Sequence, residues 1–519
     1  MKRRSLITGT LWLTGAGIIT RLLGFVYRIY LSNLIGSEGM GLYQLISPIY
    51  FLLFTFCSAG CHTAISQLVA AENARRHHAN MRRILWICLI PSALLGFFCT
   101  AAVYRFAPWI AEHILHDIRA AKGIQTLCLG LPFCISSTCF KAYFHGLQRM
   151  AVPAIEQVVE QLCRMGVIYW LSPLFSGSDV ALTCRYVVFG TLAGDMVSCL
   201  YTLIAYGLHR RKKGCIPPSF PITPMPYRRL LPKILLIVLP VTGSRLLTQL
   251  LSSFENIMLP SVLQRSGLSA SAALSVYGEF GGMVMPLLTF PTILTGALSS
   301  NLLLMVAGAK AGGNTNRIHT AINQSLRLTF FIAFLFTALF GSLGNVLGHL
   351  LYPGTGAGPL LQLLSVYCPF LYLQTTLGGI MHGSGMQNQI FLYQLFSSGL
   401  RIFILLTYGP IYGFTAFLIG MLISMAVSAV LSLHKILTTY HLKLKLGQTI
   451  FLPFLSSILT YLLLNLSLHQ SIFYIQTKLP ALLFTVLFGI ILYLLLLIIT
   501  KSITKKDLLE VLNLLKHNT

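Results

Sequence analysis

The chain is a succession of long apolar runs, most of roughly twenty to thirty residues, separated by short polar stretches. A helix needs about 20 apolar residues to cross a bilayer. The runs do not alternate with a period of two, so they read as helices and not as barrel strands. Only 9% of the 519 residues are charged, against about 25% in an ordinary soluble domain, and the mean hydropathy is +0.76. Such a chain buries most of itself in lipid, where the backbone must satisfy its own hydrogen bonds. Fourteen spans are expected, at about 5–31, 41–71, 84–107, 124–145, 153–175, 180–208, 230–262, 274–307, 320–348, 360–381, 390–408, 412–434, 448–468 and 479–500. Those at 124–145, 274–307 and 360–381 carry Gly, Pro and polar residues and read as cavity-lining helices.

The middle of the chain repeats itself at an offset of 237 residues. Pro132-Phe133 recurs as Pro369-Phe370, His145-Gly146 as His382-Gly383, Arg164 as Arg401 and Pro173 as Pro410. Six spans precede a basic, Pro-rich linker, six follow it, and two are added at the end. An even number per half makes the repeat parallel, with its pseudo-axis along the membrane normal, and places a site between the halves. The expected fold is an all-α polytopic membrane protein. Its parts are a first six-helix lobe (1–208), a cytoplasmic linker (209–229), a second lobe (230–440), and two further helices with a basic tail (441–519).

The net charge of +25 looks like a nucleic-acid signal, but its distribution argues for topology. Of 37 Lys and Arg, we count 24 in segments that are cytoplasmic if the N-terminus is inside, and only Arg119, Lys122, Arg265 and Lys478 on the other side. That positive-inside bias puts both termini in the cytoplasm. No nucleic-acid partner is expected.

The remaining nine basic residues lie within spans: Arg21, Arg28, Arg105, Lys141, Arg164, Arg185, Arg245, Arg327 and Arg401. Five acids join them: Glu156, Glu160, Asp195, Glu255 and Glu279. Intramembrane charges are costly and mark sites or internal pairs. The cationic surplus favours an anion, and the guanidinium fork suits phosphate. Arg105 and Arg185 sit near span ends and can snorkel. Glu160 and Arg164 can pair at i,i+4. Arg401 has Tyr393 and Ser397 where the glutamates stood, so it is a candidate for the cavity. Arg21 and Arg245 open the two halves, each as Arg-Leu-Leu, and with Arg28 are expected to contact substrate. Asp195 and Glu255 stand isolated in their spans. Each is a proton or sodium site or pairs with a cavity arginine, Glu255 with Arg245 for example.

A further set of residues carries a resemblance. Thr20-Arg21-Leu22-Leu23-Gly24-Phe25-Val26-Tyr27-Arg28 is followed by Leu34-Ile35-Gly36-Ser37-Glu38-Gly39-Met40-Gly41-Leu42-Tyr43-Gln44, then Pro48-Ile49-Tyr50, Ser58-Ala59-Gly60 and Ala64-Ile65-Ser66. Tyr277-Gly278-Glu279, Gly282-Met283, Met285-Pro286-Leu287 and Phe290-Pro291-Thr292 form a second block. The chain resembles the stage V sporulation protein B-like polysaccharide transporters of the multidrug/oligosaccharidyl-lipid/polysaccharide (MOP) exporter superfamily, which includes the lipid II flippase. The resemblance implies a V-shaped pair of six-helix lobes around a cationic cavity. It implies alternating access that turns an undecaprenyl-pyrophosphate-linked saccharide over a bacterial cytoplasmic membrane, and a link to sporulation. By position it implies that Arg21 and Arg28 are cavity arginines, with Glu255 and Glu279 as acids of the seventh and eighth helices. Cys61-His62 and Gln67 depart from the pattern, as does 303–309, and the second helix lacks an arginine that the lipid II flippase carries.

Two other functions on such a chain are an ion-coupled exporter of organic cations and a membrane glycosyltransferase or polymerase. A cation site needs surplus carboxylates in the first bundle, where arginine is in surplus. An enzyme needs catalytic acids near a sizeable outer loop, and the longest, at 108–123, holds only Glu112 and Asp117. Gly308 to Gly313 lacks the Lys-Ser/Thr of a P-loop. The twelve cysteines show no CxxC and read as small core residues. No metal or cofactor is expected beyond a coupling ion or the membrane potential, and a monomer is expected to suffice.

This topology is open to a direct check. Ser37→Cys, in an otherwise thiol-free variant, should react with an impermeant maleimide on intact cells, because the 32–40 turn is expected outside. Labelling only after the cells are broken contradicts the orientation.

Overall fold

The computed structural model describes residues 2–75, 77–175, 179–214, 225–312, 315–442, 445–477, 479–500 and 502. Most of the linker and nearly all of the tail lie outside these. The described chain is helical throughout: α1 (Lys2–Ala74), α2 (His78–Trp109), α3 (Ala120–Cys128), α4 (Leu131–Gly146), α5 (Ala151–Leu171), α6 (Val180–Gly214), α7 (Tyr227–Arg265), α8 (Ala270–Gly278), α9 (Met285–Thr289), α10 (Thr292–Ala311), α11 (Thr315–Leu351), α12 (Ala357–Leu364), α13 (Cys368–Gly383), α14 (Gln387–Tyr412), α15 (Phe414–Tyr440), α16 (Leu452–Thr477) and α17 (Leu479–Ile499).

Twelve helical segments among the described residues are long and apolar enough to cross a membrane. The first, Gly15–Ala74, is two spans, and α5 falls outside the twelve. Counting both recovers the fourteen. The turn expected at 32–40 is not a loop. Helix runs up to and away from Gly36, which breaks it with φ 71° and ψ 179°, a backbone region open essentially to glycine alone. The three polar spans are interrupted by prolines, which lack the amide and clash with the preceding turn. Pro132 opens α4 and Pro369 opens α13. The 274–307 span is split in three, with a π-helical turn at Glu279–Val284, then α9 begun by Pro286, and then α10 after Pro291.

The repeat is structural. α4 and α13 begin and end 237 residues apart. At their ends, a methyl on Gly146 would lie 2.9 Å from the Ser66 carbonyl oxygen, and one on Gly383 would lie 2.7 Å from that of Leu303. Ser66 and Leu303 keep the same offset.

By packing, the chain divides into two compact units, Met1–Gly278 with Gly409–Gly413, and Glu279–Tyr408 with Phe414–Thr519. This division differs from the repeat boundary because α7 and α8 pack along α1. In the first unit α1 also lies against α2, α4 and α5, around a core of Ile65, Val69, Leu85, Phe140, Phe144 and Leu230. In the second unit α11 packs on α10, α12, α13 and α16, around Ile322, Leu326, Phe330, Leu377, Ile380 and Ile436.

The Gly-Ser-Glu-Gly-Met-Gly stretch is explained by the first unit. A methyl at Gly41 would lie 2.0 Å from the Leu274 carbonyl oxygen, and one at Gly278 would lie 2.0 Å from that of Ser37. Gly41 and Gly278 are repeat partners that touch each other, so only small residues let α1 and α8 approach this closely. Arg119 ties the same end down, donating to Glu38 Oε1 at 2.8 Å and to Asp117 Oδ2 at 2.8 Å.

Gly278→Ala should force the two backbones apart, costing about 1–3 kcal/mol as overpacking does and lowering the melting temperature of the purified protein. Gly243→Ala meets open space and should stay within about 0.5 kcal/mol of the parent. Equal melting temperatures for the two variants contradict the seam.

Candidate functional site

A cavity of about 400 Å³ opens within the first unit between α1, α4 and α7. The second half of α1 supplies a stripe at i, i+4 and i+8: Phe54, Ser58 and His62. One turn of helix brings each residue of that series onto the same face. Thr138 comes from α4, and Arg245, Thr248 and Gln249 come from α7. Gly60 holds the helices together beside it, since a methyl there would lie 2.4 Å from Thr242 Oγ1.

The lining is cationic and hydroxyl-rich. Among the described residues, no Asp or Glu lines it, and Arg245 and His62 have no hydrogen-bond or ion-pair partner. His145 meets the His62 ring edge-on, with centroids 5.8 Å apart and planes at 66°. Arg245, Lys141 and His145 are all within electrostatic reach of His62.

A second polar group lies deeper in the same unit. Lys141 Nζ pairs with Glu156 Oε1 at 3.2 Å, and the glutamate is fully buried. The Ser198 hydroxyl donates to the same carboxylate oxygen and is 2.5 Å from that of Ser137. Arg164 pairs with Glu160 at 2.7 Å, as the i,i+4 spacing predicts. The Tyr50 hydroxyl donates to Asp195 Oδ2 at 2.8 Å. Gly130 makes room for that carboxylate, since a methyl there would lie 2.7 Å from Oδ2.

Of the seven residues singled out from the sequence, the cavity takes Arg245. Arg21 is exposed on the first half of α1 and Arg28 is half-buried. Asp195 is not isolated, because Tyr50 binds it and Arg164 is within electrostatic reach. Glu255 is buried on α7 and its charge reaches Tyr277. Ten residues along a helix are about 15 Å, so Glu255 and Arg245 do not form a direct pair. In the second unit, Glu279 accepts from the Gly356 amide at 2.9 Å, capping the start of α12, and Arg401 is half-buried on α14. His62, noted only as a departure from the family pattern, was not singled out as a site residue from the sequence, nor were Thr138 and Gln249. His62 and Ser58, one turn apart in an apolar run, were the available signal.

The fold is that of an all-α polytopic membrane protein with a polar cavity lined by α1, α4 and α7. The chain belongs to the polysaccharide biosynthesis protein family, whose model matches residues 6–303, more than half of it. Stage V sporulation protein B of Bacillus subtilis (strain 168) is 28% identical over 412 residues, covering 78% of this chain and 79% of the relative. Among solved structures, lipid II flippase MurJ in an inward closed conformation aligns with a TM-score of 0.69 at 14% identity, over 96% of this chain and 99% of that one. An inward-facing MATE multidrug transporter of the MOP superfamily aligns at 0.65 and 17% identity, over 81% and 94%. At these identities the two structures establish the fold.

Lys141→Met strands the buried Glu156 carboxylate and should cost about 3–5 kcal/mol, as breaking a buried pair does. Adding Glu156→Gln should restore most of the loss. Folded yield and melting temperature in detergent read both. A single variant as stable as the parent contradicts the pair.

Proposed function

We propose that the protein moves an anionic polyprenyl-pyrophosphate-linked saccharide across the cytoplasmic membrane by alternating access. The observation that carries this reading is Arg245, an arginine without a protein partner among the described residues, facing a cavity whose lining holds no carboxylate. Arg245 is exposed at the cavity; an unpaired guanidinium within a membrane span is costly unless water or a ligand answers it, and its fork matches phosphate. The Ser58, Thr138 and Thr248 hydroxyls and the Gln249 amide offer hydrogen bonds to sugar hydroxyls. The Phe54 ring offers an apolar face. The cavity volume falls within the usual range of about 300–1,000 Å³ for ligand pockets. Membership of a polysaccharide biosynthesis family supports the saccharide, and the flippase name of a structural neighbour supports the lipid carrier. An organic cation finds no counter-charge in this lining. Arg21 and Arg28 are kept as further headgroup contacts in the first unit.

The drive is proposed to come through Asp195. The deeper group holds three carboxylates and two fixed cations. Glu156 has Lys141 and Glu160 has Arg164, while Asp195 is held by a neutral hydroxyl. A proton or sodium ion at Asp195 would balance the group, and Glu255 is the second candidate. Loading or releasing one charge across 100 mV is worth about 2.3 kcal/mol.

In proteoliposomes bearing a labelled polyprenyl-pyrophosphate disaccharide, Arg245→Ala should lose transport at least tenfold while folding normally. Asp195→Asn should retain substrate binding and lose the response to an imposed pH or sodium gradient. Parental transport by Arg245→Ala overturns the anion reading. An unchanged gradient response in both Asp195→Asn and Glu255→Gln overturns the coupling site.

A further inference from the structure

We infer that His62 is a second headgroup ligand, held toward the cavity by His145, so that the anion is gripped between α1 and α7 by an imidazole and a guanidinium. This rests on the anion reading above and extends it to a residue which that reading does not need.

His62 has no polar partner in the protein among the described residues. It is half-buried on α1 and lines the cavity, yet it makes no hydrogen bond with any described residue. A polar side chain inside a membrane normally finds a partner or is kept for a function. Its neighbours do not supply one. Ser58 donates back to the Phe54 carbonyl, and Thr248 donates to the Ser244 and Arg245 carbonyls. The groups facing His62 are Arg245 on α7 and Lys141 and His145 on α4, all cationic or ionisable. A site ringed in this way repels cations and accepts an anion.

His145 sets the ring's orientation. Its edge-on contact is an aromatic packing geometry, and its own Nδ1 lies 3.2 Å from Met150 Sδ, which leaves the contact with His62 a matter of ring packing. His145 is therefore a positioning residue.

Gripping from two helices has a consequence. α1 and α7 already meet at Gly60, packed on Val238 and Thr242, and at Ser253, whose hydroxyl donates to the Pro48 carbonyl at 3.1 Å. A headgroup held by Arg245 and His62 becomes a further link between these helices. The ligand class is a phosphoryl anion at the end of an isoprenyl chain, and the pyrophosphate is the portion gripped.

The test is binding to purified full-length protein in nanodiscs, with geranylgeranyl pyrophosphate and inorganic pyrophosphate as probes and geranylgeraniol as the uncharged control. His62→Ala should weaken geranylgeranyl pyrophosphate about tenfold, and His62→Asn, which keeps a donor, should weaken it less. His145→Ala should reproduce part of the loss, and His145→Phe, which keeps a ring edge, should restore binding. Loss of binding by His145→Phe overturns the positioning role. If Arg245→Ala weakens binding but His62→Ala and His62→Asn stay within twofold of the parent, the grip is wrong and the anion reading stands. If Arg245→Ala also leaves binding unchanged, or geranylgeraniol binds as well as the pyrophosphate, the anion reading itself fails. Tight inorganic pyrophosphate binding with no binding of the lipid form overturns the lipid headgroup as the ligand.

Discussion

A charge in the middle of a bilayer costs several kcal/mol unless another group answers it. The polar interior of the first unit is organised around that cost. Lys141 and Glu156 answer one another across α4 and α5, Glu160 and Arg164 answer one another along α5, and Asp195 takes the Tyr50 hydroxyl from α1. Once these are accounted for, Arg245 and His62 stand at the cavity with no hydrogen-bond or ion-pair partner among the described residues. Their exposure to a ligand follows from how completely the neighbouring charges are engaged.

The backbone makes that arrangement possible through small residues and prolines at fixed repeat positions. Pro132 and Pro369 interrupt equivalent spans. Gly146 and Gly383 admit the backbones at Ser66 and Leu303, and Gly41 meets its own repeat partner Gly278. In lipid, helices gain little from hydrophobic burial against one another, so close backbone approach at small residues carries much of the packing. The motif Gly-Ser-Glu-Gly-Met-Gly therefore reads as a packing surface, with Glu38 as the acceptor that fastens Arg119.

Much of this was legible in the sequence because it is local or periodic. Span length follows from apolar run length. The Glu160–Arg164 pair follows from four-residue spacing. The weakness of the spans at 124–145, 274–307 and 360–381 follows from their Pro and Gly content, and those are the ones that break. What stayed hidden depends on distant contacts. Tyr50 and Asp195 are 145 residues apart, and Glu279 finds the Gly356 amide 77 residues away. No spacing rule brings His62 of α1 to the same cavity as Arg245 of α7. The run of intramembrane arginines pointed to an anion, yet it did not say which arginine faces the cavity.

The central claim is that the pyrophosphate headgroup occupies the α1–α4–α7 cavity beside Arg245. A polyprenyl-pyrophosphate saccharide with a photoreactive group on its first sugar, crosslinked to the protein in membranes and mapped by mass spectrometry, tests that most directly. The account predicts adducts on Phe54, Thr138 or Gln249, suppressed by unlabelled substrate and lost in Arg245→Ala. Competed adducts that form only elsewhere, or that persist unchanged in Arg245→Ala, would contradict it.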